Sequence, residues 1–77
     1  MTVFTREEVE DIVSKLEGAD LSGVYLGQAN LRHANLQSAN LSDANLTGTN
    51  LLAAYYDADT KWPADFDPEA AGARLVD

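Results

Sequence analysis

His33 is the only histidine of the 77-residue chain, which makes it the first residue to weigh for acid–base chemistry. A single imidazole acts as a general acid or base when a carboxylate orients it inside a pocket. Asp43 follows ten residues later, and the repeat described below puts it two faces away from His33. We therefore expect a solvated surface position for His33 rather than a catalytic role.

Acidic side chains near the C-terminal end carry oxygens that could hold a hard cation such as Ca²⁺. Their spacing does not match an EF-hand loop, because Lys61 stands at the third ligand position and Trp62 at the glycine position. Turn and helix-capping roles explain the carboxylates better, so we expect no metal site and no cofactor. The residues concerned are Asp57, Asp59, Asp65, Asp67 and Glu69.

Other usual catalytic or structural sites are missing from the sequence. The chain has no cysteine, so it can form neither a disulfide nor a cysteine-based metal site. We recognise no nucleophile beside a base and no phosphate-binding loop, and we expect a protein that is not an enzyme. Glycosylation-type triplets at Asn40 and Asn45 are by-products of a repeat, in a chain where we expect no secretion signal.

Thirteen acidic against five basic residues give a net charge of −8. This charge repels nucleic-acid phosphates and acidic membrane surfaces, so we expect no direct nucleic-acid binding. The chain also lacks an apolar run long enough to cross a bilayer, which favours a cytoplasmic protein without membrane insertion. The charge lies mainly at the ends, with −3 in residues 1–18, −1 in 19–56 and −4 in 57–77.

A five-residue repeat from Ala19 to Ala58 determines where these side chains lie. Its first place is usually alanine, its second usually asparagine, and its third is leucine seven times in succession before Tyr56 takes the eighth. A period of five fits neither the 3.6 of a helix nor the 2 of a strand, and a fixed period is typical of a solenoid. The second-place asparagines most simply bond the turns. The third-place leucines are Leu21, Leu26, Leu31, Leu36, Leu41, Leu46 and Leu51.

The pattern Ala-(Asp/Asn)-Leu-X-X closely resembles that of the pentapeptide-repeat proteins. This resemblance implies an all-β solenoid, a right-handed quadrilateral β-helix with one pentapeptide per side and four per coil. The repeats at 19–58 would then make about two coils, with Leu21 under Leu41 and Leu36 under Tyr56. The run from Tyr55 to Gly72, with its Thr-Lys-Trp-Pro, Phe-Asp-Pro and Ala-Gly, resembles the segment after the last coil in many cyanobacterial members of the family.

The residues before the repeat predict a capping domain, 1–18, with a helix from about Arg6 to Glu17 across the first coil. Thr5 with Glu8 has the spacing of a capping box, and Phe4 with Val9 that of a hydrophobic staple. Residues at i, i+3, i+4 and i+7 form one apolar stripe. These are Val9, Ile12, Val13 and Leu16.

Residues 59–77 predict a second cap, on the other side of the repeat domain at 19–58. Trp62 and Phe66 are too large for the narrow coil and would close its end. Asp67 as N-cap and Pro68 as first residue predict a short terminal helix.

Leu52 and Tyr55 replace polar residues on the second coil and would form an apolar corner above Arg32. The C-terminal segment could cover this corner, which is the favoured alternative, or the corner could contact a subunit or a partner. Tyr25, on the opposite side, would receive the N-terminal helix or lie alone on the surface. The candidate contact residues are Leu52, Tyr55, Arg32 and Tyr25.

Two functions fit these features. The first is a scaffold or adaptor that presents flat faces to a protein partner, with a homo-oligomer as an open alternative. The second is a DNA-mimic regulator of DNA gyrase, because the resemblance extends to proteins that bind gyrase through an acidic, rod-like dimer. The nearly neutral coil, about 10 Å tall at β spacing, favours the scaffold.

Overall fold

Each five-residue repeat ends in a tight turn. The computed structural model describes residues 6–11 and 13–76. The first-place N–H donates to the C=O of the third-place leucine before it, as Val24 does to Leu21 at 3.2 Å and Ala29 to Leu26 at 3.0 Å. The fifth-place residues from Gly18 to Ala53 have φ between 60° and 72°. A positive φ at this point is the feature of a type II turn, and it returns the chain to the interior every five residues.

Second-place side chains brace these turns, as the sequence predicts. The Asn40 Oδ1 accepts the Ser42 N–H at 3.0 Å, and the Asn45 Oδ1 accepts the Thr47 N–H at 3.0 Å. Asn30, Asn35 and Asn50 each make the same bond to the N–H two residues later. A side-chain oxygen that bonds its own turn makes asparagine suitable at this place.

Successive coils pair in parallel with a register of twenty residues, which is four repeats. Single bridges connect Asp20 with Asn40, Tyr25 with Asn45, Asn30 with Asn50, and Asn35 with Tyr55. The extended part of each repeat is too short for a long strand because two of its five residues form the turn. The regular strands are therefore only two residues long, β1 (Tyr55–Tyr56) and β2 (Arg74–Leu75), which pair in parallel.

The core is a column of leucines separated by alanines. The third-place leucines are buried, as are the small first-place residues at Ala29, Ala34, Ala39 and Ala54. Among the described residues no polar or charged residue is buried. The inward assignment of the leucines is thus confirmed, and it follows from the turn, because the third place is the residue that the turn sends inside.

The N-terminal helix is shorter than the predicted Arg6–Glu17. Helix α1 covers Arg6–Asp11, and a 3₁₀ turn follows at Val13–Lys15. The chain then already follows the coil, because the Gly18 N–H donates to the Gln37 C=O at 2.8 Å and the Ala19 N–H to the Leu16 C=O at 3.0 Å. Leu16, assigned above to the helix stripe, makes the turn of a third-place leucine. The predicted capping box and staple involve Thr5 and Phe4, which with Ile12 lie outside the described residues.

The C-terminal segment continues the solenoid with an irregular register. Lys61 pairs with Asn40, twenty-one residues away, and Arg74 pairs with Tyr55, nineteen away. Thr60 behaves as a first-place residue, since its Oγ1 donates to the Leu36 C=O at 2.8 Å just as Thr49 donates to the Leu26 C=O at 2.7 Å. The segment after the repeats thus pairs with the backbone of the second coil in addition to packing on it.

The predicted terminal helix is reduced to a single turn. The Asp67 Oδ1 accepts the N–H groups of Glu69 and Ala70, at 3.1 and 3.2 Å, as an N-cap does. The Gly72 N–H then donates to the Glu69 C=O at 3.0 Å, and the Ala73 N–H to the Pro68 C=O at 3.0 Å. This pair of bonds is a Schellman motif, with Gly72 at φ 94°, and it ends the helix immediately.

Replacement of a core leucine tests the inward column. We expect Leu41→Asp to unfold the domain, because an unpaired charge would replace a fully buried side chain, and Leu41→Ala to cost about 2–5 kcal/mol. Thermal and urea unfolding followed by circular dichroism measures both. The matched control is Leu52→Asp at an exposed leucine, and equal loss of stability in the two aspartate variants would contradict the assignment.

The left-handed turn position can be tested where no steric contact interferes. At Gly23, with φ 72°, a Cβ would meet nothing within 4 Å. We expect Gly23→Ala to destabilise the fold by about 1 kcal/mol through backbone strain alone. Gly23→Asn should cost less, because asparagine tolerates this conformation better. Urea unfolding would contradict the prediction if alanine were tolerated as well as asparagine.

Candidate functional site

The apolar corner consists of Leu52 and Tyr55, whose side chains are 51% and 41% exposed. Their backbone is held firmly. The Leu52 C=O accepts the His33 N–H at 3.1 Å, and the Leu52 N–H donates to the Asn50 Oδ1 at 3.1 Å. Tyr55 lies in β1 and pairs with Asn35 below and Arg74 above. The corner therefore exposes two large side chains whose backbone is held in place by hydrogen bonds.

The C-terminal segment passes over this corner without burying its side chains. Gly72 crosses next to Leu52, and a Cβ there would lie 3.1 Å from the Leu52 Cδ1 and 3.2 Å from its Cα. The backbone of Arg74 pairs with that of Tyr55, so the two residues are neighbours along the solenoid axis. The segment covers the corner from above, while the outward surfaces of Leu52 and Tyr55 stay exposed.

Arg32 is exposed one coil below Leu52 and borders a groove beside α1. The other lining residues are Glu10, Val13, Asn30 and His33. The Glu10 Oε2 accepts the Asn30 N–H at 2.7 Å. At the equivalent place one coil higher, the Asn50 N–H donates instead to a backbone carbonyl, that of Ala29, at 2.9 Å. Glu10 thus provides a hydrogen-bond acceptor for the lower edge of the first coil, and this bond holds its side chain at one side of the groove.

Tyr25 is 59% exposed and lies on the side opposite Tyr55, two repeats away around the coil. Its ring lies across Gly27, where a Cβ would overlap it. Tyr25 is therefore separate from the apolar corner, and the structure does not bring the four candidate contact residues into one surface.

The polar candidates for catalysis stay apart. His33 is exposed at a fifth-place turn with φ 63°, and Asp43 occupies the same place two sides further on, with φ 62°. Within residues 6–11 and 13–76 no group of three or more His, Cys, Asp or Glu side chains could hold a metal ion. In the same part of the chain, no helix is long and apolar enough to cross a membrane.

A carboxylate network at Asp57 was not recognised from the sequence. Its Oδ1 accepts the N–H groups of Ser38 and Asp59, both at 3.0 Å, and lies 3.2 Å from the Thr60 Oγ1. At the other fifth places of the first coil the N–H donates to a carbonyl of the second coil, as Gly23 does to Ser42 at 2.9 Å. Asp57 replaces that carbonyl at the point where the register changes from twenty to twenty-one. The Ser38 hydrogen bond is the main reason that the pKa of Asp57 is lowered, against the opposing effect of burial.

An aromatic cluster lies on the last coil. The Tyr56 and Trp62 rings meet edge to face at 5.5 Å, and the Trp62 and Phe66 rings stack at 5.3 Å. Burial raises the pKa of Tyr56, and the neighbouring Glu69 carboxylate adds to the effect. The Trp62 Nε1 is buried without a hydrogen-bond partner, so the cluster packs by its apolar surface at some cost in desolvation.

Comparison with known proteins agrees with this geometry. The model of the family described as pentapeptide repeats matches residues 14–51 in eight copies. A solved crystal structure of a pentapeptide repeat protein from Nostoc Pcc 7120 is similar over 78% of this chain, with 43% identity and a TM-score of 0.69. The chain belongs to the pentapeptide-repeat family.

The family match begins at Ser14, one repeat before Ala19, which agrees with the turn made by Leu16. The chain spans 54% of the Nostoc protein, so about half of that protein has no counterpart in the alignment. Nostoc, the source of that similar protein, is a cyanobacterium. No curated protein matches the chain.

Acid titration tests the Asp57 network. Because its pKa is lowered from 3.8 in the folded state, its stabilising effect is present above about pH 4 and lost as the pH falls through the lower folded value. We expect Asp57→Asn to melt at a lower temperature than the wild type at pH 7, and the difference to shrink towards pH 3. Thermal melts across this range measure it, with Asp59→Asn as the control for a nearby exposed charge. A difference independent of pH would contradict the role of the carboxylate.

Proposed function

We propose that the chain is a non-catalytic scaffold that binds a protein partner through the apolar corner of Leu52 and Tyr55. The observation that carries this proposal is their exposure beside a chain segment that passes directly over them. Large apolar side chains that a fold leaves exposed together are typical of interaction surfaces. Pentapeptide-repeat proteins are in general non-catalytic repeat scaffolds, which supports the same reading.

The chemistry of the corner suits a contact with another protein. Tyrosine and arginine are enriched among residues that dominate binding energy, and Arg32 lies one coil below Leu52. Hydrogen bonds on both sides hold the backbone of Tyr55, so binding would order little besides side chains. Tyr25 provides a second, separate aromatic contact on the opposite side. The partner could also be a second copy of the chain, which the experiment below distinguishes.

Gyrase mimicry has less support. The Cα atoms extend over 28 × 23 × 22 Å, which is not the shape of a rod. Residues 19–56 carry only two acidic residues, Asp20 and Asp43, against Arg32, so the sides of the coil do not reproduce a phosphate pattern. No feature of the described residues favours this function over the scaffold.

Substitution of the two residues of the apolar corner tests the proposal. We expect the double variant Leu52→Ser, Tyr55→Asn to keep its fold and to weaken partner binding by roughly tenfold or more, as loss of central contacts does. Affinity capture from the native cell with quantitative mass spectrometry identifies proteins that bind the wild type, and titration of the purified partner measures the loss. Light scattering of wild type and variant detects self-association.

Tyr25→Asn is the matched control, because it removes a still more exposed tyrosine from the opposite side and installs the residue usual at that place. Binding that survives the corner variant and is lost in Tyr25→Asn would move the site to the other side. Binding that survives both would refute the proposal for either surface.

A further inference from the structure

The last coil leaves part of the second coil without a backbone partner. Above the second coil, Lys61 pairs with Asn40 and Arg74 pairs with Tyr55, whereas no bridge is described above Asn45 or Asn50. The irregular register explains the gap, because the chain turns away at Pro63 and returns only at Gly72, whose C=O accepts the Ala53 N–H at 2.9 Å. The side at 44–48 therefore ends in an open β-edge, and the side at 49–53 is paired only at its last residue.

The backbone groups of this edge have the arrangement that a further strand would need. In the first coil, the Leu26 N–H donates to the Asn45 C=O at 2.8 Å, and the Val24 C=O accepts the Asn45 N–H at 3.0 Å. In the second coil the equivalent groups are the Leu46 N–H and the Ala44 C=O, and within the described residues neither has a hydrogen-bond partner. The Gly48 N–H is unpaired there in the same way. An unpaired edge of this kind is a template for strand addition.

The edge borders an open groove, which we call the edge groove, between residues 43–47 and the segment 63–66. Leu46 and Phe66 provide its apolar surface. Asp43 and Asp65 provide its charges, and none of the described residues that line it is basic. An extended peptide with alternating apolar and basic side chains matches this groove, because alternate side chains would meet the apolar floor and the two carboxylates.

We propose that the edge groove binds an extended, basic and apolar peptide segment of a protein partner, which adds a strand above residues 44–48. The proposal rests on the scaffold function and names the kind of partner, but its surface is separate from the apolar corner. A second copy of the chain is disfavoured as the occupant, because each copy carries a net charge of −8. Backbone hydrogen bonds supply affinity, and the two carboxylates select the charge of the peptide.

Nuclear magnetic resonance of the full, ¹⁵N-labelled chain tests the proposal with a capped heptapeptide, Thr-Lys-Val-Lys-Leu-Lys-Thr. We expect amide shifts centred on Leu46 and Gly48, together with slower hydrogen exchange of these two N–H groups. The same peptide with N-methyl groups on its central residues should bind roughly three- to tenfold more weakly, since it loses backbone donors. A peptide with glutamate in place of lysine should not bind.

Charge-matched variants separate a site from general attraction to an acidic protein. Asp43→Asn with Asp65→Asn should weaken binding by roughly three- to tenfold, the range for two partly exposed ion pairs. Both residues have a positive φ, which asparagine tolerates, so the fold should be kept. Asp20→Asn with Asp59→Asn has the same net charge and should bind as the wild type does.

Equal weakening in the two double variants, shifts spread over the acidic ends, or no shifts at about 1 mM peptide would overturn the proposal. The corner variant Leu52→Ser, Tyr55→Asn should bind the heptapeptide unchanged. The two proposals therefore fail separately, because loss of partner capture in that variant concerns the corner and loss of peptide binding in the Asp43 and Asp65 variant concerns the groove.

Discussion

The chain turns once every five residues because the fifth residue of each repeat adopts a left-handed backbone conformation. The other features of the solenoid depend on this turn. It sends the third-place leucine inside, it brings residues twenty apart into parallel register, and it leaves only short extended pieces between corners. Non-glycine residues such as His33 and Ala53 accept this strained conformation because the hydrogen bonds on either side fix it.

The backbone groups at both ends of such a solenoid need hydrogen-bond partners from outside the coils, because each coil bonds only to the coils next to it. At the lower end the Glu10 carboxylate and the Val13 carbonyl receive the N–H groups of Asn30 and Asn35. At the upper end Lys61 and the returning strand β2 bond part of the second coil in the same way. The two surfaces proposed for binding, the apolar corner and the edge groove, lie where the C-terminal segment covers the second coil only in part.

Interior and surface differ in how they limit the sequence. Inside, leucine and alanine alternate because the column is narrow, and aromatic replacements are confined to the last coils, where Tyr56 and Trp62 pack beside Phe66. Outside, the fourth and second places are free to change, and Leu52, Tyr55 and Tyr25 use that freedom. The residues that determine function in this fold are therefore expected at the outward places, whereas the residues at the inward places determine only the fold.

The sequence by itself determined the repeat, the inward leucines and the asparagine turns, because all of these are local or periodic and each repeat confirms the next. The twenty-residue register followed from the resemblance to the pentapeptide-repeat family, because a period of five does not fix the number of sides in a coil. The sequence also indicated the N-cap at Asp67. It did not reveal that Leu16 belongs to the coil, since a leucine at helical spacing from Val9 fits a helix equally well. Nor could it show the Asp57 network, the shift of register before Lys61 or the open edge above Asn45. Only the tertiary structure decided these, because they depend on how segments far apart in sequence compete for the same backbone hydrogen bonds at the ends of the solenoid.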